Sequence, residues 1–173
     1  KTSDTIITNG NTGTTVRFES FTNLTGDLLD SSEFTSFLES EFGWFLYLNK
    51  NRNFAINVNK VPIDYNNVIE KNEENQIEIE GNIFEISFIL WKNKINERYY
   101  YYFLDRQLYE KGREHTKFNN KTEDFCHSVY VISDYFDRFS RTENDGVSLG
   151  FEKNQSDLVY KKLLIFLNRL VSD

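Results

Sequence analysis

Three runs rich in β-branched and aromatic residues follow one another closely at 76–80, 83–92 and 98–104. Such side chains suit a pleated, half-buried surface, so this block predicts a mixed or antiparallel sheet. Asn93-Lys94-Ile95-Asn96 reads as a hairpin turn joining the last two runs, and 107–111 as a segment that extends or re-pairs the sheet. Residues 125–133 form another strand, with Val129, Val131 and Ser133 on one side, and 147–151 a last short one. Sixteen Phe and ten Tyr, against no Met, imply an interior filled by flat rings.

The flanks supply the helices. Thr14 to Phe21 alternates as a strand, and a polar connector with Gly26 and Asp27 follows. A helix is expected from about Ser32, entered by a box of Asp30 and Glu33. Phe34, Phe37, Leu38, Phe42 and Phe45 fall on one helical stripe and read as core, with Gly43 weakening the helix end. Residues 54–58 and 61–64 make a short hairpin around Asn59-Lys60, and the charged stretch 70–75 reads as a loop between two lobes. From Asn154 the chain turns helical again, capped by Asn154 or Ser156, with Leu158, Val159, Lys162, Leu163, Phe166, Leu167 and Leu170 as its stripe. The expected class is α+β, divided into residues 1–70 and 71–173.

Several functions are disfavoured. A net charge of −7 argues against non-specific nucleic-acid binding, which needs clustered Lys and Arg. No apolar run is long enough for a membrane span, and no signal peptide is present, so a cytoplasmic home is expected. The single Cys126 excludes an internal disulfide, and its setting between Phe125 and His127 reads as a buried, inert thiol. The absence of Met, with Lys1 at the start, reads as processing or as a piece of a longer protein.

Candidate chemistry is sparse. His115 and His127 lack neighbouring carboxylates at metal-ligand spacing and read as structural. Ser128 follows His127, but no Gly-x-Ser-x-Gly elbow surrounds it. The acidic pair Glu123-Asp124 and the group Asp134, Asp137, Glu143 and Asp145 offer the raw material of a divalent-metal site, although acidic loop residues are usually only solvated. Tyr99 to Tyr102 looks like an aromatic platform, with strand alternation sending two tyrosines to each face. There is no Walker loop and no Gly-x-Gly-x-x-Gly.

Gly13-Thr14-Thr15-Val16, running into an alternating strand, resembles the Gly-Thr-x-Val segment that closes the nucleotide-binding domain of the gyrase B, chaperone, histidine kinase and mismatch-repair (GHKL) ATPases. The strand, polar connector and helix that follow keep the order that leads into the transducer domain of the mismatch-repair branch. Tyr101 to Tyr109 is similar to that domain's Phe-Val-Asn-Gly-Arg strand and turn, with Asp105 where the turn Asn or Gly would stand. The resemblance implies a transducer-like second domain with a left-handed βαβ unit. It also implies a sensing residue for the γ-phosphate in the stretch that holds Arg138 and Arg141, where the family's usual Lys is missing. ATP and Mg would be bound by an upstream domain of the full-length protein, since neither its acidic-Asn helix nor its Asp-x-Gly-x-Gly loop occurs here.

Three functions follow. The first is a non-catalytic fragment of a GHKL-type ATPase that couples ATP binding and hydrolysis to movement, partnered by the upstream domain and open to homodimerisation. The second is a stand-alone protein- or peptide-binding module with a Tyr-rich sheet face. The third is a metal-dependent hydrolase or nuclease using the acidic loop 134–145.

Overall fold

The computed structural model describes residues 31–52, 54–94, 99–118, 125–139, 155 and 157–172. Helix α1 spans Ser32–Leu48, and strands β1 (Asn57–Val58) and β2 (Val61–Pro62) follow it as a two-stranded sheet. Strands β3 (Ile69–Ile79), β4 (Asn82–Trp91), β5 (Tyr100–Leu104), β6 (Glu110–His115) and β7 (His127–Ile132) build a second sheet, and helix α2 spans Leu158–Leu170. The class is α+β, as expected.

Both tight hairpins have a local cause. Asn59 and Lys60 take φ of 51° and 71°, and Glu80 and Gly81 take 49° and 74°. Two consecutive left-handed residues match the twist of antiparallel strands, and Asn and Gly tolerate that backbone best. The Asn82 amide then donates to the Ile79 and Glu80 carbonyls (3.2 and 3.0 Å), which closes the β3–β4 turn.

The strand order is β3-β4-β7-β5-β6, antiparallel throughout except for the β5–β7 pair, which is parallel. The β4–β5 hairpin expected at 93–96 is therefore corrected: β7 lies between those strands and pairs with both. Adjacent runs in sequence usually pair, but a longer-range strand with a better apolar fit takes precedence. His127 to Val131 are all buried, because β7 is central and covered on both faces. The 70–75 loop is also corrected, since these residues lie within β3. As an edge strand exposed along most of its length, β3 carries charge without burying it, and charge protects an edge from unwanted pairing. The boundary drawn between 70 and 71 falls inside this strand.

Strand alternation divides the packing into two layers. Phe84, Ile86, Phe88, Tyr101, Phe103, Val129 and Val131 meet Tyr160, Leu163 and Leu167 of α2 on one face. Ile89, Trp91, Leu104 and Tyr130 meet Tyr47 of α1, with Val68, on the other. Helix α2 is capped by Asp157, whose carboxylate accepts from Val159 N at 2.9 Å, rather than by Asn154 or Ser156. Its buried side also includes Tyr160, outside the expected stripe, while Leu158 is exposed.

Helix α1 departs further from expectation. Ser31, not Asp30, is the cap, with its hydroxyl accepting from Phe34 N at 3.1 Å. The side that packs comprises Glu39, Gly43, Leu46 and Tyr47, whereas Phe37 and Phe42 are 59% and 39% exposed among the described residues. Two features rotate the helix. Buried Glu39 accepts from Asp64 N (3.3 Å) and from the Asn67 amide (2.7 Å), fixing the turn before β3. Gly43 lets the backbone approach Val68 and Trp91, so it ends nothing, and the helix runs on to Leu48.

Candidate functional site

The face of the sheet beside α1 carries a row of rings. Tyr102 stacks on Tyr130 with centroids 5.0 Å apart and planes within 14°. Tyr130 in turn lies nearly parallel to Trp44 of α1, at 6.0 Å and 13°. Strand alternation places Tyr100 beside Tyr102 at 5.8 Å, and His115 stacks on Tyr100 at 4.5 Å. Tyr101 points to the opposite face, where burial lifts its phenol to about 12. Burial raises the Tyr102 and Tyr130 phenols as well, so these rings act as neutral walls at ordinary pH.

This row borders a cavity of about 330 Å³ between α1 and the β5–β6 turn. The turn is built on buried Asp105. Its carboxylate accepts from Gln107 N (2.8 Å) and Tyr109 N (2.9 Å) and pairs with Lys111 at 3.0 Å. Burial alone would raise its pKa, but the Tyr109 N–H and the Lys111 ammonium more than offset that, and the carboxyl stays below its usual range. Leu108 takes a φ of 68°, a strained value for a branched side chain. The turn thereby sets Leu108 and Tyr109 against the cavity, with Tyr109 67% exposed at its lip. Glu41 and Glu110 complete the lining with carboxylates.

Two other clusters are structural in geometry. At the edge of the sheet Glu74 is paired with Lys50 and accepts from the Tyr47 hydroxyl at 2.8 Å; these bonds hold its carboxyl low. The second cluster sits where β5 and β7 begin. His127 is fully buried there, with Nδ1 3.0 Å from the Phe125 carbonyl and Nε2 2.7 Å from the Thr116 hydroxyl. A carbonyl only accepts, so Nδ1 carries the proton and Nε2 accepts from Thr116. The Tyr99 hydroxyl donates to the sulfur of buried Cys126 at 3.2 Å.

The His127 setting gives a pH prediction. Burial holds its imidazole below the usual 6.5, although the Phe125 carbonyl pulls the other way. Above the unfolded value both states are neutral and nothing is lost. As pH falls below it, the unfolded chain takes up a proton that the folded chain refuses, and stability drops until the lower folded pKa is reached. We expect urea midpoints measured at about pH 8 and about pH 5 to converge in His127→Gln relative to wild type. Equal pH slopes in the two proteins would refute this role.

Of the sequence-derived motif and nucleotide-sensing residues, Arg138 alone is among the described residues. Arg138 closes the short 3-10 turn Asp134–Arg138 after β7 and is exposed. Gly13, Thr14, Thr15 and Arg141 lie outside the described residues, as do Glu123, Asp124, Glu143 and Asp145 of the acidic candidates. Among the described residues no group of three or more His, Cys, Asp or Glu side chains is arranged to hold a metal. The platform tyrosines were legible from alternation, but Trp44, Glu41, Tyr109 and Glu110 were not. Tyr109, an apolar ring directly after the Asp105 turn, was the one available signal. Among the described residues no helix is long and apolar enough to cross a membrane. No protein-family model, no curated protein and no solved structure matches this chain.

Proposed function

We propose that this chain is the transducer-like part of a GHKL-type ATPase, coupling ATP binding and hydrolysis in an upstream domain to movement in the cytoplasm. The Gly13-Thr14-Thr15-Val16 segment carries the reading, because it is followed in order by a helix and a β-rich unit. A mixed sheet packed by helices is compatible with it, and the left-handed βαβ crossover and homodimerisation belong to the proposal. Arg138 supports it by position. An exposed guanidinium at the end of a turn can reach a phosphate on a neighbouring domain and lose that partner on hydrolysis.

The test is ATP turnover by the full-length protein with its Mg. Wild type is expected to hydrolyse ATP, and Arg138→Ala combined with Arg141→Ala to lower turnover by at least about tenfold while ATP binding changes less. A full-length protein that neither binds nor hydrolyses ATP would sink the reading.

One observation favours a second reading, a protein- or peptide-binding module. Trp44, Tyr130 and Tyr102 form a stacked wall beside an open cavity on the Tyr-rich face. Rigid rings of this kind supply contact area at low entropic cost.

A further inference from the structure

We propose that the groove between α1 and the β5–β6 turn receives a single Lys or Arg side chain, flanked by apolar residues, from an extended segment of a partner protein. This rests on the peptide-binding reading and is independent of the ATPase one. Glu41 and Glu110 line the cavity, and neither Lys nor Arg does; Glu110 is already paired with Arg113, so Glu41 is the carboxylate open to an incoming cation. The basic residues of the neighbouring strand are already engaged: Lys111 with Asp105 at 3.0 Å, and Arg113 with Glu110 at 3.2 Å and over the Tyr100 ring at 5.2 Å. Glu41 makes no ion pair among the described residues, and the chain as a whole carries −7.

Trp44, Tyr102, Tyr109 and Tyr130 line the same space, and aromatic faces attract cations most strongly where water is partly excluded. Arg113 over Tyr100 shows this sheet face already holding a guanidinium that way. A volume of about 330 Å³ lies at the small end of ligand pockets and is ample for one long side chain.

A neighbouring cavity favours a peptide over a small ammonium ion. A second cavity of about 310 Å³ shares Trp44, Leu108 and Tyr109 with the first and is lined by Phe45 and Phe54. The pair forms a groove suited to a chain that places a cation in one cavity and an apolar residue in the next. Arg52 on the second cavity repels a further cation there, so a single basic residue flanked by apolar ones fits best.

Trp44 is 36% exposed on the groove while Trp91 is buried, so intrinsic fluorescence reports on occupancy. The probe is acetyl-Gly-Leu-Lys-Leu-Gly amide, titrated beside the same peptide with Glu for Lys and beside tetramethylammonium chloride. Saturable binding is expected for the Lys peptide, with at least about tenfold weaker binding for the Glu peptide. The same loss is expected for the Lys peptide on Glu41→Gln, whose site is exposed and leaves the core intact. Equal binding of the two peptides overturns the cation preference and leaves the peptide-binding reading standing. Saturation by tetramethylammonium at lower concentration than the Lys peptide overturns the choice of a peptide. No binding of either peptide sinks both readings.

Discussion

Replacing Phe136 with alanine is expected to destabilise the fold by about 3–5 kcal/mol, the range for truncating a fully buried Phe. For a chain of this size that corresponds to a loss of roughly 6–20 °C in melting temperature. Phe136 is inaccessible to solvent, and its ring lies 5.1 Å from Phe103, 5.3 Å from Tyr135, 5.7 Å from Phe139 and 5.8 Å from Phe84. The turn that delivers it is held rigidly. The Ser133 hydroxyl donates to the Ile83 carbonyl at 2.6 Å and accepts from Tyr135 N at 3.1 Å. A tethered turn cannot collapse into the space left behind, so the cavity persists and the loss falls at the upper end of the range. Urea denaturation followed by far-UV circular dichroism measures it. A loss below about 1 kcal/mol would mean that this cluster does not hold the α2 side of the sheet together.

Gly43→Leu should destabilise by about 2–3 kcal/mol, through overpacking rather than a cavity. A Cβ at this position would stand 3.0 Å from Val68 Cγ2, and 3.7 Å from both Trp91 Cζ3 and Tyr65 Cβ. Val68 is buried, and Trp91 is fixed by its indole N–H donating to the Ser128 hydroxyl at 3.0 Å. Neither neighbour can withdraw without opening the core, so a longer side chain pushes α1 off the sheet. Gly43→Ala sets two small effects against each other, a helix-propensity gain of about 1 kcal/mol and the tight Val68 contact. It should therefore change stability far less than the leucine. Because Trp44 rides on the same helix, Gly43→Leu should also shift the fluorescence of the groove. An unchanged urea midpoint in Gly43→Leu would show that α1 does not pack as described.

Elements whose signal is local could be read along the chain. Alternation across 76–104 and 125–133 located four strands, since period-two patterning is a property of the strand itself. Asn59-Lys60 marked a hairpin, and the apolar period after Asn154 marked a helix, because turn backbone and helix periodicity act over a few residues. The α+β class followed from these pieces. The burial expected of Cys126 from its place at the start of a strand is observed.

Which surfaces meet depends on long-range packing. Nothing local says that β7 separates β4 from β5, because that choice compares the burial gained by competing long-range pairings. Nor does the Phe stripe of α1 reveal that the helix turns its Glu39 and Gly43 side inward. A buried carboxylate needs partners, here Asp64 N and the Asn67 amide, and a glycine needs something to approach. The groove belongs wholly to this second class. Trp44, Tyr102, Tyr109 and Tyr130 come from a helix, two strands and a turn, and only folding brings their rings and the carboxylates of Glu41 and Glu110 around one space.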